Sequence, residues 1–135
     1  MLLSGLPEQV DDQEELARFL TQSSQFNARM VKPAALLPNP KDGETSVSRH
    51  GPEPSEELWE LGLAAAGARP LYGAAIFEAR VVRAAQLEVL ADEPPPRHAV
   101  IQGWPRVDND PEFQKAKQKE LAALIVSAIG PPLLR

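Results

Sequence analysis

Pro94, Pro95 and Pro96 fall in succession inside the run from Asp92 to Pro105, and no other stretch limits the fold so sharply. Each proline removes an amide donor and fixes φ, so this run is excluded from a helix and from the centre of a sheet. The pattern predicts an extended, polyproline-like lead-in. Arg97 and His98 follow directly and open onto the apolar run Ala99 to Ile101, which reads as a buried strand over 98–102. A stiff lead-in that delivers a cation and an imidazole to a strand holds polar groups at a fixed point on a scaffold. A sharp loop with no further role satisfies the same pattern.

Residues 1–11 read as a loose N-terminal arm before a single domain over 12–135. Asp12 and Glu15 have capping-box spacing, and Leu16, Phe19 and Leu20 form a stripe at helical spacing, which predicts a helix over 12–23. A second helix is expected over 55–66. Ser55 is its N-cap, Glu56 and Glu57 fill its first turn, and Gly67 stops it. A third runs over 110–129 from Asp110-Pro111 to Gly130-Pro131-Pro132, with Leu121, Leu124, Ile125 and Ile129 expected to be buried. Strands are expected over 45–49, 71–79, 87–90 and 98–102, with a single helical turn at 80–85. Prolines 33, 38 and 40 limit 29–37 to an extended edge segment, facing 45–49 across a turn at 39–43. The fold class is α+β, three helices packed on a small mixed or antiparallel sheet.

Composition narrows the partners. Aromatic residues make up 5% of the chain against 43% hydrophobic residues, so the core is aliphatic. A net charge of −5 argues against coating nucleic acid or an anionic membrane, and no run approaches the ~20 apolar residues of a membrane span. The absence of cysteine excludes disulfides and thiolate metal sites. The two histidines, His50 and His98, have no ligand spacing with Asp42 or Asp92, so neither a metal nor another cofactor is expected. Without a basic, long apolar leader at the N-terminus, a cytoplasmic location is the expectation.

Cationic and imidazole groups collect at segment edges: Arg29, Lys32, Arg49, His50, Arg97 and His98. If the strands pair, these edges converge on a pocket that binds carboxylate or phosphate through arginine forks, with Trp104 as a wall. Pairing of the arginines with some of the 19 carboxylates is the structural alternative. A nucleophilic reading takes Ser46 or Ser48 with His98 as base, although no nucleophile elbow surrounds either serine. An ADP-ribosyl-transfer-like reading takes Arg29 and Ser46 as the grip on a dinucleotide. Trp59 and Leu63 offer a docking surface on the second helix, or simply part of the core.

Val31-Lys32-Pro33-Ala34-Ala35, Ser46-Val47-Ser48-Arg49, Trp59-Glu60-Leu61-Gly62 and the run from Asp92 to Pro105 occur in an order that resembles a group of small bacterial proteins with no settled activity. The likeness covers roughly residues 16 to 128 and rests most on the last segment. It implies a stand-alone bacterial domain. Gln86 departs from the pattern, in which a glycine is expected, and that bears on the sharpness of its turn. The functional expectation is an accessory protein acting through protein–protein contact. The alternative is a small enzyme or ligand-binding domain with an anion pocket around Arg49, Arg97 and His98.

Overall fold

Glu15–Leu20 forms strand β1, not part of a helix over 12–23. Its apolar residues fall on both faces: Leu16 and Leu20 join one core, Ala17 and Phe19 another. A strand covered on both sides loses its apolar–polar alternation, and over six residues its apolar positions fit a helical stripe equally well. Asp12 caps no helix. Its carbonyl accepts from the Arg80 amide at 2.9 Å and its carboxylate accepts from Arg83 at 2.6 Å.

The structure is a computed structural model and describes residues 2–49 and 55–135, so His50 lies outside the described residues. Among these, β1 is joined by β2 (Thr45–Arg49), β3 (Gly73–Glu78), β4 (Glu88–Ala91), β5 (His98–Gln102) and β6 (Leu133–Leu134). They form one open antiparallel sheet in the order β4-β5-β2-β1-β3-β6. Three helices pack on it: α1 (Ser55–Ala66), α2 (Ala79–Ala84) and α3 (Pro111–Val126). The α+β class expected from the sequence is the class observed.

On one face, α1 sets Leu58 and Ala66 against Ala17, Phe19, Leu71 and Ala74. Gly62 is the closest approach: a Cβ there would lie 2.8 Å from both the Phe19 ring and a Leu71 methyl. The other face carries the larger core, in which Val82 of α2 and Ala122 and Ile125 of α3 meet Leu16, Leu20, Val47, Val89 and Ile101. Residues 29–37 do not pair with β2. They hold a 3-10 turn at Pro33–Ala35 and a single bridge, Val31 to Phe26, while β2 lies centrally between β1 and β5.

The proline run is the tip of the β4–β5 hairpin. The Asp92 amide donates to the His98 carbonyl (2.9 Å) and the His98 amide to the Pro95 carbonyl (3.1 Å). The Glu93-Pro94 and Pro94-Pro95 bonds are cis, so the run turns where an extended path was expected. The described residues of the N-terminal arm hold no helix or strand, but Val10 is buried and Ser4 bonds Glu93 from its amide (3.0 Å) and its hydroxyl. Burial pushes the Glu93 carboxyl up, and the donors from Ser4 and the Arg97 amide outweigh it, so its pKa lies below the ordinary value.

Helix α3 starts as expected, with the Asp110 carboxylate accepting from the Phe113 amide at 3.0 Å. Its buried stripe is narrower than expected. Ile125 is fully buried, Leu121 and Ile129 are half-buried, and Leu124 is 55% exposed. The inward stripe runs through Gln114, Gln118, Leu121, Ala122 and Ile125, which leaves Leu124 one position off the contact. Ile125→Ala should therefore lower stability by about 2–5 kcal/mol. Leu124→Ala should stay within about 0.5 kcal/mol, both read from urea midpoints.

At the end of α2 the Gln86 amide donates to the Arg83 carbonyl (2.9 Å) and the Leu87 amide to Val82 (3.3 Å). This is a Schellman closure, and Gln86 occupies its left-handed position at φ 66°. A side chain there costs about 1–2 kcal/mol, partly offset because glycine loses more chain entropy on folding. Gln86→Gly should raise stability by up to about 1 kcal/mol, checked by a higher urea midpoint at unchanged m-value.

Candidate anion-binding site

Among the described residues, β1 and β2 pair at two positions, Leu16 with Arg49 and Ala17 with Ser48. Beyond them the strands part, although β1 stays paired with β3 to Leu20 and β2 with β5 to Thr45. Arg18 sits at the fork. Its Nε donates to the Ala35 carbonyl (2.7 Å) and its Nη1 to the Ser46 carbonyl (2.9 Å), so a side chain satisfies an acceptor that a continued ladder would have used. The fork opens a cleft of about 550 Å³ lined by Arg18, Phe19, Ser46, Ser48, Arg69 and His98, with loop 37–40 on its far side.

Among the described residues Arg18 has no carboxylate partner, and its Nη2 has no hydrogen-bond partner. Burial, and then the like charge of Arg69, push the Arg18 pKa down to about 10. Arg18 is thus still a cation at neutral pH, held in a place that disfavours its charge. Arg69 closes the C-terminus of α1, with Nε on the Ala66 carbonyl and Nη2 on the Ala65 carbonyl, both at 3.1 Å. It too has no carboxylate partner among the described residues. Among the described residues Glu44 is the one acid lining the cleft, and it accepts from Gln102 Nε2.

His98 Nδ1 lies 2.9 Å from the Asp92 carbonyl and 3.2 Å from the Asp92 carboxylate. Both are acceptors, so Nδ1 carries the proton and the ring's other nitrogen is left for the cleft. Ser48 is the cross-strand partner of His98 in the β2–β5 register. The neighbouring Arg49 amide donates to the Arg97 carbonyl (2.7 Å), so Ser48 and His98 form the closer, non-hydrogen-bonded kind of pair.

The residues expected to converge are brought together only in part. His98, Ser46 and Ser48 share the cleft. Arg49 does not. It is fully buried, its Nε and Nη2 fork onto Glu14 (Nη2 at 2.7 Å), and its Nη1 donates to the Pro7 carbonyl at 2.6 Å. Arg97, at φ 70°, donates from Nη1 to the Arg49 carbonyl (3.1 Å) and borders a separate opening with Glu57 and Glu60 of α1. Arg29 is exposed in a turn around the Asn27 carboxamide, Lys32 is exposed before the 3-10 turn, and neither lines the cleft with Ser46. Trp104 is buried at the edge of a different cleft.

Arg18 and Arg69 were not singled out by the sequence. The signal for Arg18 is a lone cation at the centre of ELARFL, visible once that run is read as a strand whose Leu16, Arg18 and Leu20 share a face. No family model, no curated protein and no solved structure matches the chain.

The geometry of Arg49 generates a direct expectation. Glu14→Ala leaves a buried cation unpaired and should lower stability by about 3–5 kcal/mol. Glu14→Leu with Arg49→Met removes both charges and should cost less than Glu14→Ala alone, measured by urea unfolding of the three variants beside the parent.

Proposed function

We propose that this chain is a ligand-binding domain for a small carboxylate or phosphate, held in the cleft at the β1–β2 fork by Arg18 and Arg69. The observation that carries the reading is the pair of guanidiniums lining one concavity whose partners among the described residues are backbone carbonyls. Two like charges in one cleft repel, and an anion between them removes that repulsion while taking the free fork of each guanidinium. Ser46 and Ser48 supply neutral hydroxyls on the same wall. This moves the anion pocket expected around Arg49, Arg97 and His98 toward Arg18, with His98 retained.

Protonation follows the same logic. The folded pKa of Arg18 is depressed, so the folded state carries fewer protons than the unfolded chain between about pH 10 and the ordinary arginine value. Its charge therefore costs stability below about pH 10, and the deficit shrinks as pH rises above that. A bound anion relieves the same deficit at neutral pH.

An accessory role through protein–protein contact is the second reading. Leu63 on α1 and Phe113 and Leu124 on α3 are exposed and favour it. They lie on separate helices, and single exposed apolar residues are ordinary on a protein surface. Trp59 is half-buried and packs in the core beneath α1. The resemblance to small bacterial domains supports a bacterial and cytoplasmic setting, and no helix among the described residues is long and apolar enough to cross a membrane.

Thermal unfolding with inorganic phosphate or citrate, at constant ionic strength, tests the reading. Ligand at a hundred times its Kd adds about 2.7 kcal/mol, a rise of roughly 8–14 °C for a chain this size. Arg69→Gln is the informative variant because that residue is exposed at a helix end. It should weaken the response to either ligand by about tenfold in concentration. An equal response in parent and variant, or none in the parent, overturns the assignment.

A further inference from the structure

A second cleft of about 440 Å³ lies between the loop 37–43 and the first turns of α3, a volume in the range of small-molecule sites. Lys41, Arg106 and Lys115 line it, and none of the three has a carboxylate partner among the described residues. Among the described residues Asp42 is the one acid on its wall. The chain as a whole is acidic, with 19 carboxylates to 14 lysines and arginines, so three uncompensated cations around one concavity run against its composition.

The polar groups on the helix side are fixed in orientation. Gln114 Oε1 accepts from the Val107 amide (2.8 Å), which leaves its NH2 group as a donor. Gln118 Nε2 donates to the Pro105 carbonyl (3.0 Å), which leaves its oxygen as an acceptor. Trp104 stands at the wall, 5% exposed, and its buried indole N–H has no acceptor among the described residues. An indole N–H is donor only, and native proteins rarely leave one sealed without a partner. The cations and the Gln114 amide have donors to spare for acceptors in the cleft.

We infer that this cleft is a second binding site, for a small oxyanion carrying two or more negative charges, such as a phosphate ester or a polycarboxylate. Three cations facing one acid leave a local excess of two positive charges, which a monovalent anion would only half neutralise. Lys41 and Lys115 act as point charges from opposite walls, and the Arg106 guanidinium offers a fork suited to carboxylate or phosphate. The site is independent of the cleft at Arg18. The two share only the wall formed by Leu37, Pro38, Asn39 and Pro40, and no charged side chain is common to both.

Trp104 gives the site its own reporter. The chain has two tryptophans, so Trp59→Phe leaves Trp104 as the sole indole. In this full-length variant, pyrophosphate and citrate are titrated in separate arms at constant ionic strength, with sodium chloride as control. The expected result is a saturable change in Trp104 emission in at least one arm. The arm that responds identifies phosphate or carboxylate as the preferred chemistry. Arg106→Gln with Lys115→Gln should weaken it by about tenfold or more, while Arg69→Gln leaves it unchanged. No saturable change beyond the chloride control overturns the inference, as does an unchanged response in the double variant. A response lost in Arg69→Gln but kept in the double variant places the anion in the other cleft and also overturns it. If Trp59→Phe unfolds by circular dichroism, calorimetric titration of the parent and the double variant decides between the same outcomes.

Discussion

Arg49 joins four parts of the chain that are distant in sequence. Its guanidinium forks onto Glu14 ahead of β1 and onto the Pro7 carbonyl in the N-terminal arm. Its backbone amide donates to the Arg97 carbonyl, and its carbonyl accepts from the Arg97 side chain, so the hairpin tip is fixed to the same residue. A fully buried cation is tolerable only when each direction it faces holds an acceptor, and here the carboxylate and a carbonyl meet that demand. The arrangement also sets what Arg49 cannot do. A guanidinium with no exposed surface and a carboxylate across its fork has nothing left for a ligand.

The same half of the sheet contains the opposite solution. At Arg18 the ladder between β1 and β2 stops, and the side chain bridges Ala35 and Ser46 through carbonyls alone. Burial, and then the like charge of Arg69, depress its pKa, and among the described residues no carboxylate offsets them. One arginine closes the sheet and the other holds it open. The cleft exists because the strands part where Arg18 enters, and its positive character comes from the residue that marks the fork.

How much was legible depended on how many faces each element buries. Strand 98–102 and helix 55–66 have the bounds read from the sequence, because a clean apolar run and clear turn residues mark their ends. β1 was missed because it is covered on both faces, and the error hid Arg18 with it. The proline run was recognised as excluded from regular structure, yet its path was read as straight, since composition does not reveal that 92–97 closes a hairpin. Arg97 and His98 are adjacent in sequence but point to different tasks. Alternation along a strand end sends Arg97 to the Arg49 carbonyl and His98 into the cleft. Leu124 looked like core because a helical stripe was counted over its full width, whereas the contact surface admits only the row through Gln118, Ala122 and Ile125.

The wall between the two clefts explains why both can be formed before a ligand arrives. Loop 37–43 carries Pro38 and Pro40, which fix φ at two positions. Asn39 closes the rest: its amide donates to the Glu44 carbonyl (2.9 Å), its carbonyl accepts from Gly43 (2.7 Å), and its side chain accepts from the Lys41 amide (2.9 Å). A loop pinned in this way has little backbone freedom left to lose, so binding on either side would not have to order it. The cost that remains is electrostatic. In an acidic chain the long-range field opposes an incoming anion, so each cleft depends on short-range contacts from its cations. Raising the ionic strength weakens the attraction from these cations, which lack a carboxylate partner among the described residues, but it also screens the repulsion from the rest of the molecule, and the two effects partly cancel.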